Sequence, residues 1–254
     1  MSDWKDKIKK LFKRIKENFF VDKFNCICCD KELDKPTRYG LCPDCLSKLQ
    51  TLNDDICLKC GRYENTEADY CLVCQNKDRH FNKVRSCCVY DDIGKTLVHR
   101  IKFGNKKYPV PYLANMMIDK FLDEGYDSQV VVCVPISDER RKVRGYNQSE
   151  LIAKHIAQEL RLDYVGDCIR KIKHNIEQAK LKGNEREQNV IGVYKVVDKS
   201  AVKGKKVLVV DDVLTTGATM SEVCKMLYKA GARQVDGLTL CSTKYKLQTD
   251  KGEI

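Results

Sequence analysis

Apolar residues in the last two thirds of the chain follow two alternating patterns, short continuous runs and runs with helical spacing. The continuous runs predict strands at residues 84–90, 129–135, 192–197, 206–210 and 235–241. Helical spacing predicts helices at residues 93–102, 112–122, 149–160 and 219–230. This alternation predicts an α/β domain with a mainly parallel sheet and flanking helices. Ligands bind such domains beyond the carboxyl ends of the strands, here the loops after Val134 and Val210.

The first 23 residues have a different pattern, that of a basic amphipathic helical arm. Apolar side chains recur there at helical spacing: Trp4, Ile8, Leu11, Phe12, Ile15 and Phe19. Seven Lys or Arg and three Asp or Glu within residues 1–21 give a net charge of about +4. The arm could contact a membrane surface, bind a partner, or cover an apolar patch of its own protein. No apolar run approaches the roughly 20 residues of a bilayer span, and no secretory signal is evident. We therefore expect a cytoplasmic protein, with peripheral membrane association through the arm as an alternative.

Cysteines are concentrated between residues 26 and 74. Eight of the 15 form four Cys-x-x-Cys pairs, which is typical of zinc knuckles in a cytosolic protein. The pairs are Cys26 with Cys29, Cys42 with Cys45, Cys57 with Cys60, and Cys71 with Cys74. Two pairs complete one tetrahedral sulfur site, so the segment predicts two structural Zn²⁺ ions. Sequential and cross-braced pairing both satisfy the spacing.

Three domains are expected: the arm at 1–23, a double zinc ribbon at 24–82 and the α/β domain at 83–254. The ribbon segment has few aliphatic residues, so metal would supply most of its folding energy. Cys28 is not expected to be a ligand. The other six cysteines are expected to be small buried apolar residues: Cys87, Cys88, Cys133, Cys168, Cys224 and Cys241.

The net charge of the chain indicates which classes of partner it could bind. The chain carries 47 Lys or Arg and 36 Asp or Glu, a formal charge of +11. Two four-thiolate zinc sites would add −8 + 4 = −4, leaving a chain at about +7, which is still basic. A basic protein with zinc ribbons is compatible with binding nucleic acid. Tyr63, Tyr70 and Phe81 near the ribbons could stack on bases or pack locally.

The strongest indication of chemistry is the sequence VLVVDDVLTTGAT at residues 207–219. A buried strand is followed by two carboxylates and then by a small hydroxyl-rich loop that leads into a helix. Capping-box spacing between Thr219 and Glu222 predicts the start of this helix. Backbone N–H groups at a helix N-terminus bind anions, whereas adjacent carboxylates suit hydroxyl groups or Mg²⁺. The segment therefore predicts a site for a ligand with a phosphate at one end and a vicinal diol beside it.

This segment resembles the 5-phosphoribosyl-1-diphosphate (PRPP) motif of type I phosphoribosyltransferases. Two further motifs, each in the expected order, resemble signatures of the ComF competence family. They are RxxxRGYNQ at residues 140–148, after Val134 and Pro135, and QxxLxxxxRxxNV at residues 178–190. The cysteine-rich segment matches that family's double zinc ribbon, so the resemblance covers about residues 24–243.

The resemblance implies roles for individual residues. Asp211 and Asp212 would contact the ribose hydroxyls, and the 5-phosphate would lie on Thr215, Thr216, Gly217, Ala218 and Thr219. Arg140, Arg141, Lys142 and Arg144 would face the pyrophosphate, which Mg²⁺ accompanies. Residues 174–189 would correspond to the loop that closes type I transferase sites. That loop would bring Lys180, Lys182 and Arg186 to the leaving pyrophosphate, so the catalytic candidates are Asp211, Asp212 and Arg186.

Two functions follow from the resemblance. The first is an accessory protein of DNA uptake in natural transformation, which binds PRPP, handles single-stranded DNA and has a helicase-like partner. The second is a free-standing metabolic phosphoribosyltransferase whose zinc ribbons are only structural. The resemblance leaves the acceptor open, because nothing in residues 83–128 matches a nucleobase pocket.

Overall fold

A computed structural model of the protein describes residues 24–63, 68–103, 107–172 and 190–244. Within these ranges the strands are β1 (Phe24–Asn25), β2 (Glu32–Leu33), β3 (Val84–Val89), β4 (Val130–Cys133), β5 (Asp163–Tyr164), β6 (Ile169–Lys171), β7 (Tyr194–Val196), β8 (Lys206–Leu214) and β9 (Gln234–Ser242). The α-helices are α1 (Pro43–Ser47), α2 (Leu72–Asn76), α3 (Asp92–Lys102), α4 (Val110–Asp123), α5 (Asp138–Arg144), α6 (Gln148–Leu160) and α7 (Ala218–Lys229). The predicted arm at residues 1–23 lies outside the described residues.

Five strands form a parallel sheet in the order β3-β9-β8-β4-β5, which confirms the predicted fold class. The neighbours β4 and β8 are paired with Cys133 opposite Val210. From β4 the chain continues outward to β5, and from β8 it continues outward in the opposite direction to β9. The carboxyl ends of β4 and β8 therefore flank a topological switch point, where open α/β sheets bind ligands.

Several details differ from the sequence-based prediction. Strand β7 does not join the main sheet but pairs with β6 in a separate antiparallel ribbon. The basic stretch after Pro135 is helix α5 rather than a loop, because Ser137 caps its first turn and Gly145 ends it at φ 76°. The capping box was wrong as well. The N-cap of α7 is Gly217, and the Glu222 carboxylate instead accepts a hydrogen bond from Gly192 N at 2.9 Å.

The cysteine-rich segment packs against both faces of the sheet. On one face, Cys26 and Leu41 belong to the same buried cluster as Leu113 of α4 and Ile152 of α6. On the other face, Phe81 and three of the last four paired cysteines share a cluster with α7. Both halves of the segment therefore bury apolar surface together with the α/β domain, which compensates for their own small number of aliphatic residues.

The same segment covers one edge of the sheet. Gln50 O accepts a hydrogen bond from Val89 N at 2.8 Å, and Leu52 N donates one to Cys87 O at 3.1 Å. Lys120 of α4 fixes this stretch by donating from Nζ to Leu52 O at 2.8 Å. Pairing of this kind hides the open backbone groups of the edge strand β3. None of the helices in the described ranges combines the length and the apolarity that a bilayer span needs.

Candidate functional site

The eight paired cysteines form two separate groups, each built from consecutive pairs. Sulfur atoms of Cys26, Cys29, Cys42 and Cys45 lie within 4.8 Å of one another, and so do those of Cys57, Cys60, Cys71 and Cys74. This selects sequential pairing over the cross-braced alternative. Zinc bound to four thiolates at about 2.3 Å places neighbouring sulfurs about 3.8 Å apart. The observed distances, 3.7 Å between Cys29 and Cys42 and 3.8 Å between Cys60 and Cys71, fit that geometry. Each group could bind a structural zinc.

Backbone geometry supports the first group. Asp30 adopts the left-handed conformation at φ 61°, which turns the chain between the two cysteine pairs. Cys42 N lies 3.3 Å from Cys26 Sγ, close enough for the N–H to stabilise a thiolate. Cys28 is buried but is not part of the group, and its carbonyl accepts a hydrogen bond from Arg100 Nη2 at 3.1 Å. The six cysteines that were expected to be small buried residues are all buried.

A cavity of about 190 Å³ lies at the switch point beyond β4 and β8. Seven of the predicted site residues line it: Arg140, Arg144, Asp211, Asp212, Thr215, Gly217 and Thr219. Thr216, in the loop before α7, and Ala218, the first residue of α7, do not line the cavity. Arg186, Lys180 and Lys182 lie outside the described residues. The site therefore joins carboxylates from β8 and guanidinium groups from α5 to the loop that opens α7.

Asp212 is a buried carboxylate that is held by two side chains from distant parts of the chain. Lys102, at the end of α3, lies with Nζ 3.0 Å from Asp212 Oδ2. Gln148, at the start of α6, donates a hydrogen bond from Nε2 to the same oxygen at 2.5 Å. Burying a carboxylate is costly unless it is paired and hydrogen-bonded, and both conditions are met here. Sequence reasoning missed Lys102, which no motif marks.

Asp211 has a different environment. Its Oδ1 accepts hydrogen bonds from Ser149 Oγ at 3.0 Å and from the backbone N of Asp212 at 2.9 Å. Burial, followed by the negative charge of Asp212, raises the pKa of Asp211 to about 7. Hydrogen bonding and the positive charge of Lys102 act in the opposite direction. The carboxyl of Asp211 therefore changes its charge near neutral pH.

Helix α5 places the four basic residues of the sequence motif on different faces. Arg140 and Arg144 are four residues apart, so they lie on one face of the helix, and both line the cavity. Arg144 is fixed by a contact of 3.3 Å between its Nη1 and Gln148 Oε1. Arg141 instead forms an ion pair with Glu150 at 2.7 Å, and Lys142 is exposed. The expectation that all four cations face the cavity was therefore wrong for Arg141 and Lys142, which do not line it.

The residues that follow α5 connect it to the neighbouring elements of the site. The side chain of Asn147 caps α6 by accepting from Ser149 N at 3.1 Å, and it donates to Val134 O at 3.0 Å. Tyr146 donates from its hydroxyl to Ile101 O at 2.8 Å, next to Lys102. The RGYNQ sequence thus links the ends of β4, α3 and α6 around the carboxylates, and its Gln148 contacts both Asp212 and Arg144.

The β6–β7 ribbon closes one side of the cavity. Lys171 and Tyr194 line it, although neither was predicted. Burial and then the positive charge of Arg140 lower the pKa of Lys171. Together with Arg140 and Arg144, Lys171 makes this side cationic, opposite in charge to the Asp211 and Asp212 side.

Comparisons with known proteins agree with this geometry. Residues 146–252 match the phosphoribosyl transferase domain family. Competence protein F of Haemophilus influenzae is 28% identical over 224 residues, covering 86% of this chain and 96% of that protein. Competence protein ComFC of Bacillus subtilis is 26% identical over 244 residues, covering 87% and 95%. The DNA utilization protein YhgH of Escherichia coli K12 is 24% identical over 210 residues, covering 81% and 91%.

Among solved structures, adenine phosphoribosyltransferase from Thermoanaerobacter pseudethanolicus is 16% identical, with a TM-score of 0.35 over 53% of this chain and 80% of that one. The matched domain, the relatives and the two cysteine groups together confirm the resemblance found in the sequence: the chain is similar over most of its length to competence protein F and ComFC, and a phosphoribosyl transferase domain follows its cysteine-rich segment.

Proposed function

We propose that this chain is an accessory protein of DNA uptake whose transferase domain binds PRPP or a related ribose phosphate. The main support for the proposal is that three groups of residues with different chemistry line the same cavity. Two adjacent carboxylates lie near the carboxyl end of β8, a loop leads to the N-terminus of α7, and three cations lie on α5 and β6. A phosphorylated sugar with a pyrophosphate at its other end has complementary groups for all three.

The ligand would lie across the carboxyl ends of β8 and β4. Its 5-phosphate would bind the loop from Thr215 to Thr219, where the backbone N–H groups and the helix dipole favour an anion. The ribose hydroxyls would donate to Asp211 and Asp212. The pyrophosphate would lie on the side of Arg140 and Arg144, where Mg²⁺ would accompany it. The role proposed for Arg186 at the leaving pyrophosphate rests on the motif alone.

Catalysis on this site would be displacement of pyrophosphate at the anomeric carbon. Such a reaction depends on positioning and charge stabilisation more than on a strong base. The described residues supply both: fixed carboxylates for the ribose and cations for the departing pyrophosphate. The nucleophile would come from the acceptor.

Two structural zinc ions are the other part of the proposal. The sulfur spacing in both groups and the sharing of buried surface with the sheet support it. We further propose that single-stranded DNA and a helicase-like competence partner are macromolecular partners, and that the arm at residues 1–23 is the candidate membrane contact. Support comes from the net charge of +11 and from relatives named for competence and DNA utilization. The same names give a purely metabolic transferase less support.

Isothermal titration of the full-length protein with PRPP, with and without Mg²⁺, tests the ligand. We expect binding in the wild type and a large loss in the double variant Asp211→Ala/Asp212→Ala. Unchanged affinity in that variant would show that the site is wrong.

Titration of labelled single-stranded and duplex DNA over a salt series tests the partner. Each phosphate neutralised on a single strand adds about −0.7 to the log–log salt slope. An unrelated protein of the same net charge is the control, and equal affinity for both proteins would favour the metabolic alternative. Repeating the titration with PRPP shows whether DNA and PRPP compete for the cavity.

A further inference from the structure

The segment that follows the second cysteine group runs directly to the loop from Thr215 to Thr219, which is called the phosphate loop below. Helix α2 starts immediately after Cys71 and contains Cys74, and it ends only three residues before Arg79. Arg79 donates a hydrogen bond from Nη2 to Thr216 O at 2.9 Å. The next residue, His80, donates from its backbone N to Ser221 Oγ, in the first turn of α7, at 3.1 Å. Phe81 then buries its ring in the core beneath α7.

These contacts act on the backbone that would bind phosphate. In a planar trans peptide the C=O and N–H groups point in opposite directions. When Arg79 holds the carbonyl of Thr216 on one side, it turns the N–H of Gly217 to the other side. Gly217 lines the cavity, whereas Thr216 and Arg79 do not. The adjoining carbonyl, Thr215 O, lies 3.5 Å from Thr243 Oγ1, so two consecutive peptide planes of the loop have donors on their outer side.

The conformation of this loop needs such support. Gly217 sits at φ 77° at the N-cap of α7, and it has no side chain with which to cap the helix. Glycine populates both halves of φ space and loses the most conformational freedom when fixed, so the loop has little intrinsic preference for the binding conformation. A cationic donor on the outer carbonyl lowers the cost of organising the loop before the ligand arrives.

We propose that Arg79 is a positioning residue of the phosphate loop, and that the second four-cysteine site holds the segment that carries it. This inference rests on the proposed ribose phosphate site. Zinc at Cys57, Cys60, Cys71 and Cys74 then controls the affinity for phosphate ligands, although none of these residues lines the cavity. Among the described residues, the contacts of the first group run to α3 and α4 and not to the loop around Thr216, for example Arg38 to Asp119 and Arg100 to Cys28 O.

The test is calorimetric titration of ribose 5-phosphate into the full-length zinc-loaded protein and its variants. Arg79→Ala should weaken binding about tenfold, as expected for a lost charge-assisted hydrogen bond, and Arg79→Lys should restore part of the affinity. Arg38→Ala, an arginine of the first cysteine-rich stretch, should bind like the wild type. The amide resonance of Gly217, followed by ¹⁵N NMR, should shift in free Arg79→Ala protein while the resonances of β4 stay in place.

A double-mutant cycle connects Arg79 to the metal site. Cys74→Ser should lower the affinity for ribose 5-phosphate, and it should cost much less in the Arg79→Ala background, because both changes release the same carbonyl. Equal affinities of wild type and Arg79→Ala would overturn the inference, provided that Gly217→Val abolishes binding. If the wild type itself does not bind ribose 5-phosphate, the proposed function fails, and the inference fails with it.

Discussion

Ligand binding should depend on pH through Asp211. Burial and the charge of Asp212 raise the pKa of Asp211 to about 7, so the group is protonated at pH 6 and ionised at pH 8. For one group with this pKa, the ionised fraction rises from about 9% to about 91% between those two pH values. Ribose hydroxyls and Mg²⁺ both favour the ionised carboxylate. The affinity for PRPP with Mg²⁺ should therefore increase about tenfold from pH 6 to pH 8.

The assay is calorimetric titration of PRPP at half-unit pH steps in constant excess Mg²⁺. The phosphate monoester also titrates near pH 6, so the informative quantity is the difference between the wild type and Asp211→Asn. The variant keeps the shape of the side chain but has no charge to gain, so only the ligand's own titration should remain. Lys102→Met should move the wild-type midpoint to higher pH, because the positive charge of Lys102 lowers the pKa of Asp211. Identical pH profiles of the wild type and Asp211→Asn would refute the reasoning.

Three further predictions concern the metal sites, the loop and the motif. Elemental analysis should find about two zinc ions per chain and one fewer in Cys45→Ser. Gly217→Val should abolish ribose phosphate binding, because a β-branched residue disfavours φ 77°, while circular dichroism at 20 °C should stay close to that of the wild type. Asn147→Ala should destabilise the protein by about 2 kcal/mol in urea unfolding, since both the cap of α6 and a buried bond to Val134 are lost. A loss below about 0.5 kcal/mol would show that neither bond matters.

Four of the five strands of the main sheet (β3, β4, β8 and β9) and the longer helices could be predicted because apolar periodicity is a local property. The two-residue β5 and the short β6 were not predicted. The two carboxylates and the loop could be predicted because they follow one another along the chain. Strand β8 nevertheless continues to Leu214, four residues beyond the apolar run, since its pairing with β9 extends to Leu214 opposite Ser242. That extension places both carboxylates within the strand itself. Strand ends depend on the partner strand, which the local pattern does not contain.

Contacts between distant segments were not predictable. Lys102 is one of 47 basic residues, and only the packing of α3 across the sheet brings it to Asp212. The division of the basic stretch into cavity-facing and outward-facing cations required knowing that residues 138–144 form a helix. Adjacent side chains on a helix point in different directions. Arg140 therefore lines the cavity, whereas Arg141 forms an ion pair with Glu150.

The position of the two cysteine groups explains why a cysteine-rich segment precedes a transferase domain in one chain. The first group is buried with α4 and α6, and the second with β8 and α7, so the groups brace opposite faces of the same sheet. The stretch between them supplies the backbone that covers β3 at the sheet edge. Metal bound at either group would therefore also stabilise the faces from which the elements of the cavity arise: α6 with Gln148 on one side, α7 with the phosphate loop on the other. A ribbon that folded as a separate module would not need to share buried surface with both faces of the sheet.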